Sequence, residues 1–155
     1  MPRGVGLSWT VWAKHVFLIR SPVRIIASYR QQMPTVSEED IGIVRQRELF
    51  DEVSDILGER PPVMDSADVL ANPEHMLQKL CHTLGIEWIE GAMTKWAPGS
   101  RASDGVWAPH WYAAVEASTG FAAPAVEVPA LDPADEALAC QMQAHYEAMA
   151  AFKLI

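Results

Sequence analysis

The sequence has few cysteines, no long apolar run and no low-complexity segment, and each absence excludes a class of protein. Two cysteines in 155 residues, Cys81 and Cys140, are too few and too far apart for a disulfide framework, which indicates a reducing, cytoplasmic location. No uncharged apolar stretch reaches the ~18 residues of a membrane-spanning helix, so we expect no membrane partner. The composition, half apolar and about a fifth charged, predicts one globular domain.

Acidic residues are missing from the first 37 positions. This segment holds five of the twelve basic residues of the chain and none of its twenty acidic residues. The rest of the chain is acidic and brings the net charge to −8, which argues against a nucleic-acid partner. A local cationic segment on an acidic protein indicates a small anionic ligand, although a solvated basic helix face would have the same composition.

The motifs of several enzyme classes are also absent. The sequence contains no Walker-type Gly-Lys-Ser/Thr and no serine nucleophile elbow. No Cys and His spacing is typical of a zinc site. Asp65 and Asp68 suggest a metal site, but two acids after a strand more often cap a turn. We therefore expect no bound metal.

The first elements along the chain are a strand and a helix. Residues 16–20, VFLIR, predict a short buried strand. Ser21 can cap the following helix, and Pro22 fits its first position because the missing N–H needs no partner there. We expect this helix to continue to about Gln32.

A longer helix is predicted from Ser37 to Gly58. Ser37 and Asp40 form a variant of the capping box, and glycine commonly follows a helix end. The apolar residues expected to face the core are Ile41, Val44, Leu49, Val53 and Ile56.

The second half of the chain adds a strand and two helices. Residues 61–66, PPVMDS, predict the strand, and Asn72-Pro73 and Asp132-Pro133 begin the helices. The residues expected to be buried in these helices are Met76, Leu77, Leu80 and Leu84, then Leu138, Met142, Met149 and Phe152. Residues 86–126 hold four of the six tryptophans and predict short helices and ordered loops. The order of elements indicates an α/β fold with parallel strands.

The residues after the first strand predict a phosphate site. Ligands of open parallel sheets bind at the carboxyl ends of the strands, where Arg20 lies, and the next helix directs its positive end to the same place. Arg24 and Ser28 share a face of that helix, and their donors match phosphate oxygens. Alternatively, Arg20 pairs with a nearby carboxylate and Ser28 bonds the preceding helical turn.

This segment, FLIRSPVRIIASY, resembles the 3′-phosphate-binding segment of the sulfotransferase family. In that family an arginine ends a strand, a proline follows two residues later, and a Ser-Tyr pair comes eight and nine residues after the arginine. Arg20, Pro22, Ser28 and Tyr29 hold those places. The resemblance implies that Arg20 and Ser28 bind the 3′-phosphate of the donor 3′-phosphoadenosine 5′-phosphosulfate.

Two later segments are similar to the same family. VMDSADVLANPEHMLQKLCHTLGIEW matches its second strand and the helix that follows, and this part is mostly scaffold. WAPGSRASDGVWAPHWYAAVEASTGF resembles the C-terminal loop of bacterial members, where an arginine and a Gly-Trp pattern close over the nucleotide. The resemblance implies cofactor-binding roles for Arg101, Gly105 and Trp107, although the chain lacks the Arg-Lys-Gly run of better-known members.

The resemblance implies an incomplete three-layer, P-loop-like sulfotransferase fold with a short parallel sheet flanked by helices. Sulfotransferases bind the 5′-phosphosulfate with a Gly-rich loop between a strand and a helix. Residues 2–9, PRGVGLSW, resemble that loop only superficially, because no strand precedes them and no helix fits before Val16. We therefore expect residues 1–155 to be a single, N-terminally truncated domain that is inactive in isolation.

Three functions remain open at this point. The first is sulfuryl transfer to an unknown acceptor, if the missing loop is supplied. The second is a non-catalytic nucleotide-binding remnant or interaction module of the same fold. The third is an unrelated α/β module whose basic helix binds a protein partner.

Aromatic residues and an exposed strand give three weaker predictions. Trp96, Trp107 and Trp111 would stack an adenine or shape an acceptor pocket, unless they belong to the core. His110 is a candidate base, but a histidine packed between aromatics or facing solvent explains it more simply. A first strand without neighbours would expose an edge and an apolar face, which predicts self-association.

Overall fold

The computed structural model describes residues 6–101, 103–106 and 112–155. The chain forms two compact units, one of Met1–Ala67 with Ala125–Ile155 and one of Asp68–Pro124. The elements in chain order are a 3-10 helix (Leu7–Trp12), β1 (Phe17–Ile19), α1 (Pro22–Arg30), α2 (Glu38–Ile41), α3 (Ile43–Leu57), β2 (Val63–Asp65), α4 (Ser66–Ala71), α5 (Pro73–Leu84), α6 (Ala113–Ala117) and α7 (Pro133–Ala150). Within the described ranges, no helix is both long and apolar enough to cross a bilayer.

The first unit is built on a two-stranded parallel sheet. β1 pairs with β2 in the register Phe17↔Val63 and Ile19↔Asp65, which confirms both predicted strands at slightly shorter lengths. Helices flank this sheet, so the predicted α/β class is confirmed. Leu154 donates its N–H to the Val63 carbonyl at 2.8 Å and so adds a further rung to the outer edge of β2.

A hydrophobic core joins the sheet to α3 and α7. Its buried members are Phe17, Ile19, Phe50, Val53, Val63 and Met149. Phe17 and Phe50 pack edge to face, with their ring centroids 5.2 Å apart. Burial of each large side chain contributes about 1.5–3 kcal/mol to the free energy of unfolding, so this cluster holds the sheet against α3 and α7.

Gly42 divides the long helix that the sequence predicts. The capping box between Ser37 and Asp40 forms as expected, but α2 ends after one turn at Gly42, which adopts a left-handed φ of 64°. α3 therefore begins with a new phase and buries a different set of residues. These are Ile43, Phe50, Val53 and Ser54, so of the five predicted residues Val53 alone is buried.

The helix boundaries in the later part of the chain follow local signals. The side chain of Asn72 accepts a hydrogen bond from the N–H of His75, and Gly85 ends α5 with a left-handed φ of 65°. Asp132 caps α7 by accepting from the N–H groups of Ala134 and Asp135. Both helices therefore begin where the sequence predicts.

Loops and one short helix make up most of the second unit after α5. Lys95 and Gly120 form an antiparallel bridge. Trp96 packs edge to face on Phe121 at 5.4 Å between ring centroids, and its Nε1 donates to the Ser118 hydroxyl at 2.9 Å. These contacts order a region that the sequence predicts as loops and short helices.

Candidate anion site at the end of the first strand

Arg20 follows β1 directly, at the edge of the sheet where both parallel strands end. Its side chain is exposed and makes no hydrogen bond or ion pair with any residue that the structure describes. The alternative prediction, in which Arg20 is neutralised by a carboxylate, is therefore not what is seen. An arginine with all its donors open to solvent at this edge can accept an anionic ligand.

The acidic residue that ends β2 already has other partners. Asp65 ends β2, opposite Ile19 in the register, and is buried. Its carboxylate accepts hydrogen bonds from the Tyr146 hydroxyl and from the N–H of Ala67 at 2.8 Å. Asp65 thus caps a turn, and no cluster of three metal-ligating side chains occurs among the described residues.

The first turn of α1 keeps its amides free of side-chain caps. Pro22 occupies the first helical position, as predicted, but the Ser21 hydroxyl does not cap the helix. The Ser21 carbonyl instead accepts from the N–H groups of Arg24 and Ile25, both at 3.0 Å. The positive end of the helix is therefore directed towards the segment that carries Arg20.

Arg24 and Ser28 lie one turn apart on α1. Arg24 donates from its guanidinium to the Ala125 carbonyl at 2.8 Å, so it is partly occupied and partly fixed. Ser28 is exposed, and its hydroxyl makes no hydrogen bond to any described residue, which differs from the alternative of bonding back into the helix. Its donor and acceptor are both available to a ligand.

The length of α1 decides where an anion bound by Ser28 would lie. Ser28 is about 9 Å further along the helix axis than Pro22. The favourable field of a helix end acts mainly within its first turn. An anion held by Ser28 and by an extended Arg20 side chain would therefore lie beside the helix, and the two side chains rather than the helix end would supply most of its binding energy.

Ion pairs neutralise part of the positive charge of the basic segment. Arg30 donates to the carboxylates of Asp135 and Asp132 at 2.9 and 3.3 Å, so α7 neutralises it. Arg3 lies outside the described residues. Lys14, Arg20 and Arg24 make no ion pair within the described part of the chain, and they carry the remaining positive charge.

The nucleotide residues predicted from the later loop belong to the second unit or lie outside the described residues. Arg101 is exposed, and its backbone N–H donates to the Asp104 carboxylate at 2.8 Å in a tight turn. Gly105 would meet no atom within 4 Å if it carried a Cβ, so sterics do not demand a glycine there. Trp107 lies outside the described residues, as do His110 and Trp111. The roles of Arg101, Gly105 and Trp107 stay predictions.

The second unit contains a pocket that the sequence indicates only through Trp96. The cavity measures about 640 Å³, and Trp96, Phe121, Lys95 and Glu74 are among its lining residues. Trp96 therefore packs on Phe121 and lines a cavity, while its role in stacking an adenine or shaping an acceptor pocket stays a prediction. No sequence motif identifies the charged residues of this pocket, because α5 and the loops that supply these residues are separated in the chain.

Comparisons with known proteins identify the family of this chain. The family model described as "Sulfotransferase domain" matches residues 1–153. The chain belongs to this sulfotransferase family. Its members use a sulfonate donor, and the predicted family and fold class are thereby confirmed. An unrelated α/β module with a basic helix is excluded.

Two curated relatives come from Arabidopsis thaliana. Branched-chain-amino-acid aminotransferase-like protein 1 is 36% identical over 111 residues, which cover 72% of this chain and 20% of the relative. Branched-chain-amino-acid aminotransferase-like protein 2 is 33% identical over 111 residues, covering 72% and 19%. The chain thus spans about a fifth of the length of these relatives. No solved structure matches the chain.

Proposed function

We propose that this chain is a sulfotransferase domain whose donor is 3′-phosphoadenosine 5′-phosphosulfate, and that Arg20 and Ser28 bind the donor's 3′-phosphate. The observation that carries the proposal is the exposed Arg20 guanidinium, which has no partner among the described residues and follows β1 at the carboxyl end of the sheet. By the family resemblance, Arg101, Gly105 and Trp107 are further residues proposed to bind the nucleotide.

The reaction would move a sulfuryl group from the donor to an acceptor. The bond between sulfur and the bridging phosphate oxygen breaks, a bond from sulfur to the acceptor atom forms, and the acceptor proton passes to a base. Adenosine 3′,5′-bisphosphate leaves. Catalysis of this kind depends mainly on positioning and on stabilising charge at the leaving phosphate. Binding of the 3′-phosphate by Arg20 would orient the donor without touching the reacting atoms.

A second candidate, a non-catalytic nucleotide-binding remnant or interaction module, is favoured by the segment before β1. Within the stretch that resembles a phosphosulfate loop, the described residues from Leu7 onwards form a 3-10 helix, Leu7–Trp12, and not an α-helix. A phosphosulfate loop would instead open an α-helix, whose first amides help to hold the bridging oxygen. Transfer would then require a loop supplied from elsewhere. The plant relatives are much longer proteins, and their names favour no further candidate function for this chain.

Thermal unfolding with adenosine 3′,5′-bisphosphate tests the binding site. A ligand that binds only the native state stabilises it, by about 2.7 kcal/mol at a concentration of 100 Kd. We expect a rise in Tm for the unaltered chain and none for Arg20→Ala. Arg45→Ala is the matched control, because it removes an exposed arginine of α3 whose partners are Glu48 and Glu52. The absence of a shift at millimolar nucleotide would refute the site.

Donor turnover separates the two candidates. Release of adenosine 3′,5′-bisphosphate from the donor in the presence of a phenolic or amine acceptor would establish transfer by this chain. A nucleotide-dependent shift in Tm without release would establish the binding module. A cytoplasmic location and self-association stay predictions.

A further inference from the structure

Arg24 of α1 contacts a segment that is distant in the sequence. Its guanidinium donates to the backbone carbonyl of Ala125 at 2.8 Å, and the two residues are 101 positions apart in the chain. Ala125 begins a segment without helix or strand, which leads to Asp132, the residue that caps α7. We name residues 125–131 the strap. Arg24 therefore ties the strap to the same helix that carries Ser28.

The strap has few other attachments. The bond from Arg24 is the one hydrogen bond that residues 125–131 make with any part of the chain that the structure describes. Val126 and Val128 are 93% and 73% exposed, so the middle of the strap buries little apolar surface. A cavity of about 360 Å³, lined by both, lies where the end of the strap meets α1. Loss of the Arg24 bond should therefore let the strap open locally.

The guanidinium of Arg24 has further donors. It carries five N–H groups in a planar fork, and the Ala125 carbonyl accepts from one of its nitrogens. Arg24 makes no ion pair with any residue that the structure describes. One edge of the fork can hold the carbonyl while another edge binds two oxygens of an anion side by side. An anion can therefore bind Arg24 without displacing the strap.

Arg24 lies close enough to Ser28 to share an anion with it. Residues four apart on a helix have their Cβ atoms about 5–6 Å apart, and these two have that spacing on α1. Binding normally has to immobilise a long, flexible side chain, which weakens the affinity. Because the Ala125 carbonyl already restrains the guanidinium, Arg24 loses less freedom when an anion binds.

We propose that Arg24 is a third ligand of the anion bound by Arg20 and Ser28, and that it couples this anion to the strap. The inference rests on the proposed function of that site. The Ala125 carbonyl orients the guanidinium for the anion, and the bound anion in turn immobilises the guanidinium for the carbonyl. Because coupling between two binding events is reciprocal, a strap that raises the affinity for the 3′-phosphate is itself tightened by the 3′-phosphate.

Cleavage after Glu127 by a glutamyl endopeptidase measures how tightly the strap is held. Glu127 is exposed and lies two residues after the tied carbonyl, and a protease cuts a segment that opens locally. In the full chain, saturating adenosine 3′,5′-bisphosphate should slow this cleavage about fivefold or more, the lower end of ordinary coupling between two sites. Adenosine 5′-monophosphate, which lacks the 3′-phosphate, should leave the rate unchanged. Equal slowing by the two nucleotides would overturn the role of the 3′-phosphate.

Arg24→Met removes every donor and keeps an unbranched apolar side chain. Without nucleotide, its cleavage after Glu127 should be about fivefold faster or more, and nucleotide should no longer slow it. The dissociation constant of adenosine 3′,5′-bisphosphate should rise roughly tenfold or more. Arg45→Met is the matched control, because Arg45 is an exposed arginine of α3 with Glu48 and Glu52 as partners. It should match the unaltered chain in both measurements.

The outcomes separate this inference from the proposed site. If the nucleotide raises the Tm through Arg20 but leaves cleavage after Glu127 unchanged or accelerates it, the coupling is overturned and the site stands. If Arg24→Met, shown to be folded by circular dichroism, binds the nucleotide like the unaltered chain, Arg24 is not a ligand. If millimolar nucleotide leaves the Tm of the unaltered chain unchanged, both proposals fail. The cleavage measurement on the unaltered chain does not depend on how any variant folds.

Discussion

Tyr146 donates a hydrogen bond from its hydroxyl to the buried carboxylate of Asp65, which joins α7 to the carboxyl end of β2. The two residues are 81 positions apart in the chain. The second oxygen of Asp65 accepts from the N–H of Ala67, so both sides of the carboxylate are satisfied. This contact holds the last helix against the edge of the sheet at which Arg20 lies.

Removing the Tyr146 hydroxyl should destabilise the fold. Tyr146→Phe leaves one oxygen of a buried carboxylate without its donor, which typically costs about 1–3 kcal/mol. The urea midpoint should fall while the m-value stays unchanged. Tyr112→Phe is the control, because Tyr112 is exposed and its hydroxyl bonds to no described residue. Equal midpoints for the two variants would contradict the assigned role of the bond.

Replacing Gly42 by a residue with a side chain should destabilise the fold, although there is space for that side chain. A Cβ at this position would meet nothing within 4 Å, but the φ of 64° is unfavourable for alanine. Gly42→Ala should lower the free energy of unfolding by about 1 kcal/mol. Gly6→Ala, at an ordinary φ of −56°, should change it by less than about 0.5 kcal/mol. Urea unfolding measures both, and an unaffected Gly42→Ala would show that the break between α2 and α3 does not need glycine.

The charge of Asp132 should make stability depend on pH. Hydrogen bonds from the N–H groups of Asp135 and Ala134, together with the Arg30 guanidinium, hold the pKa of Asp132 below its ordinary value. A carboxylate with a lowered pKa stabilises the fold above the unfolded value of about 3.9, and this contribution disappears as the pH falls through the folded pKa. Asp132→Asn keeps a cap but removes the charge.

The Tm of Asp132→Asn should therefore lie below that of the unaltered chain at about pH 7 and approach it at about pH 2, well under the ordinary aspartate pKa. Glu127→Gln is the control, because Glu127 is exposed and has no ion pair in the described part of the chain. A Tm difference that stays constant across this range would show that charge plays no part in the cap.

The geometry of the Arg20 guanidinium should matter as well as its charge. Arginine offers a planar fork of donors to a phosphate, whereas lysine offers a compact charge. Arg20→Lys should weaken binding of adenosine 3′,5′-bisphosphate several-fold, and Arg20→Ala by roughly 10–100-fold, since a hydrogen bond to a charged group is worth about 1.5–3 kcal/mol. Calorimetric titration at fixed salt measures the dissociation constants.

Ser28→Ala should weaken the same binding by less, because the hydroxyl is neutral. The hydroxyl can donate one hydrogen bond to the phosphate and carries neither the charge nor the paired donors of the guanidinium, so the loss should be smaller than for Arg20→Ala. If Arg20→Lys binds like the unaltered chain while Ser28→Ala abolishes binding, the phosphate is not held as proposed.

Local signals in the sequence predict the element boundaries well. The caps at Asn72 and Asp132, the stop at Gly85 and the two short strands all depend on neighbouring residues, and all are found. The buried face of α3 is mispredicted because a single left-handed residue, Gly42, changes the phase of the helix. α4 is missed because it begins directly after β2, without a separate linker.

Long-range contacts explain the rest of the difference. Arg30 looks like part of the cationic patch in the sequence, yet its ion pairs with Asp132 and Asp135 span more than 100 residues. Phe152 is predicted to be buried but is 41% exposed, because it lies beyond the end of α7 under Arg60. The bond between Tyr146 and Asp65 likewise spans 81 positions, and no local pattern reveals it.

The first unit is built from two separate parts of the sequence, and this has a consequence for biosynthesis. Its sheet receives a rung from Leu154, and its core receives Met149, while α1 and α3 are made more than 90 residues earlier. The nascent polypeptide therefore leaves the ribosome with one side of this core uncovered, and the second unit is synthesised before the last helix arrives to cover it. Chaperone dependence in cells should follow from this order of synthesis, since unfinished apolar surfaces are prone to aggregate.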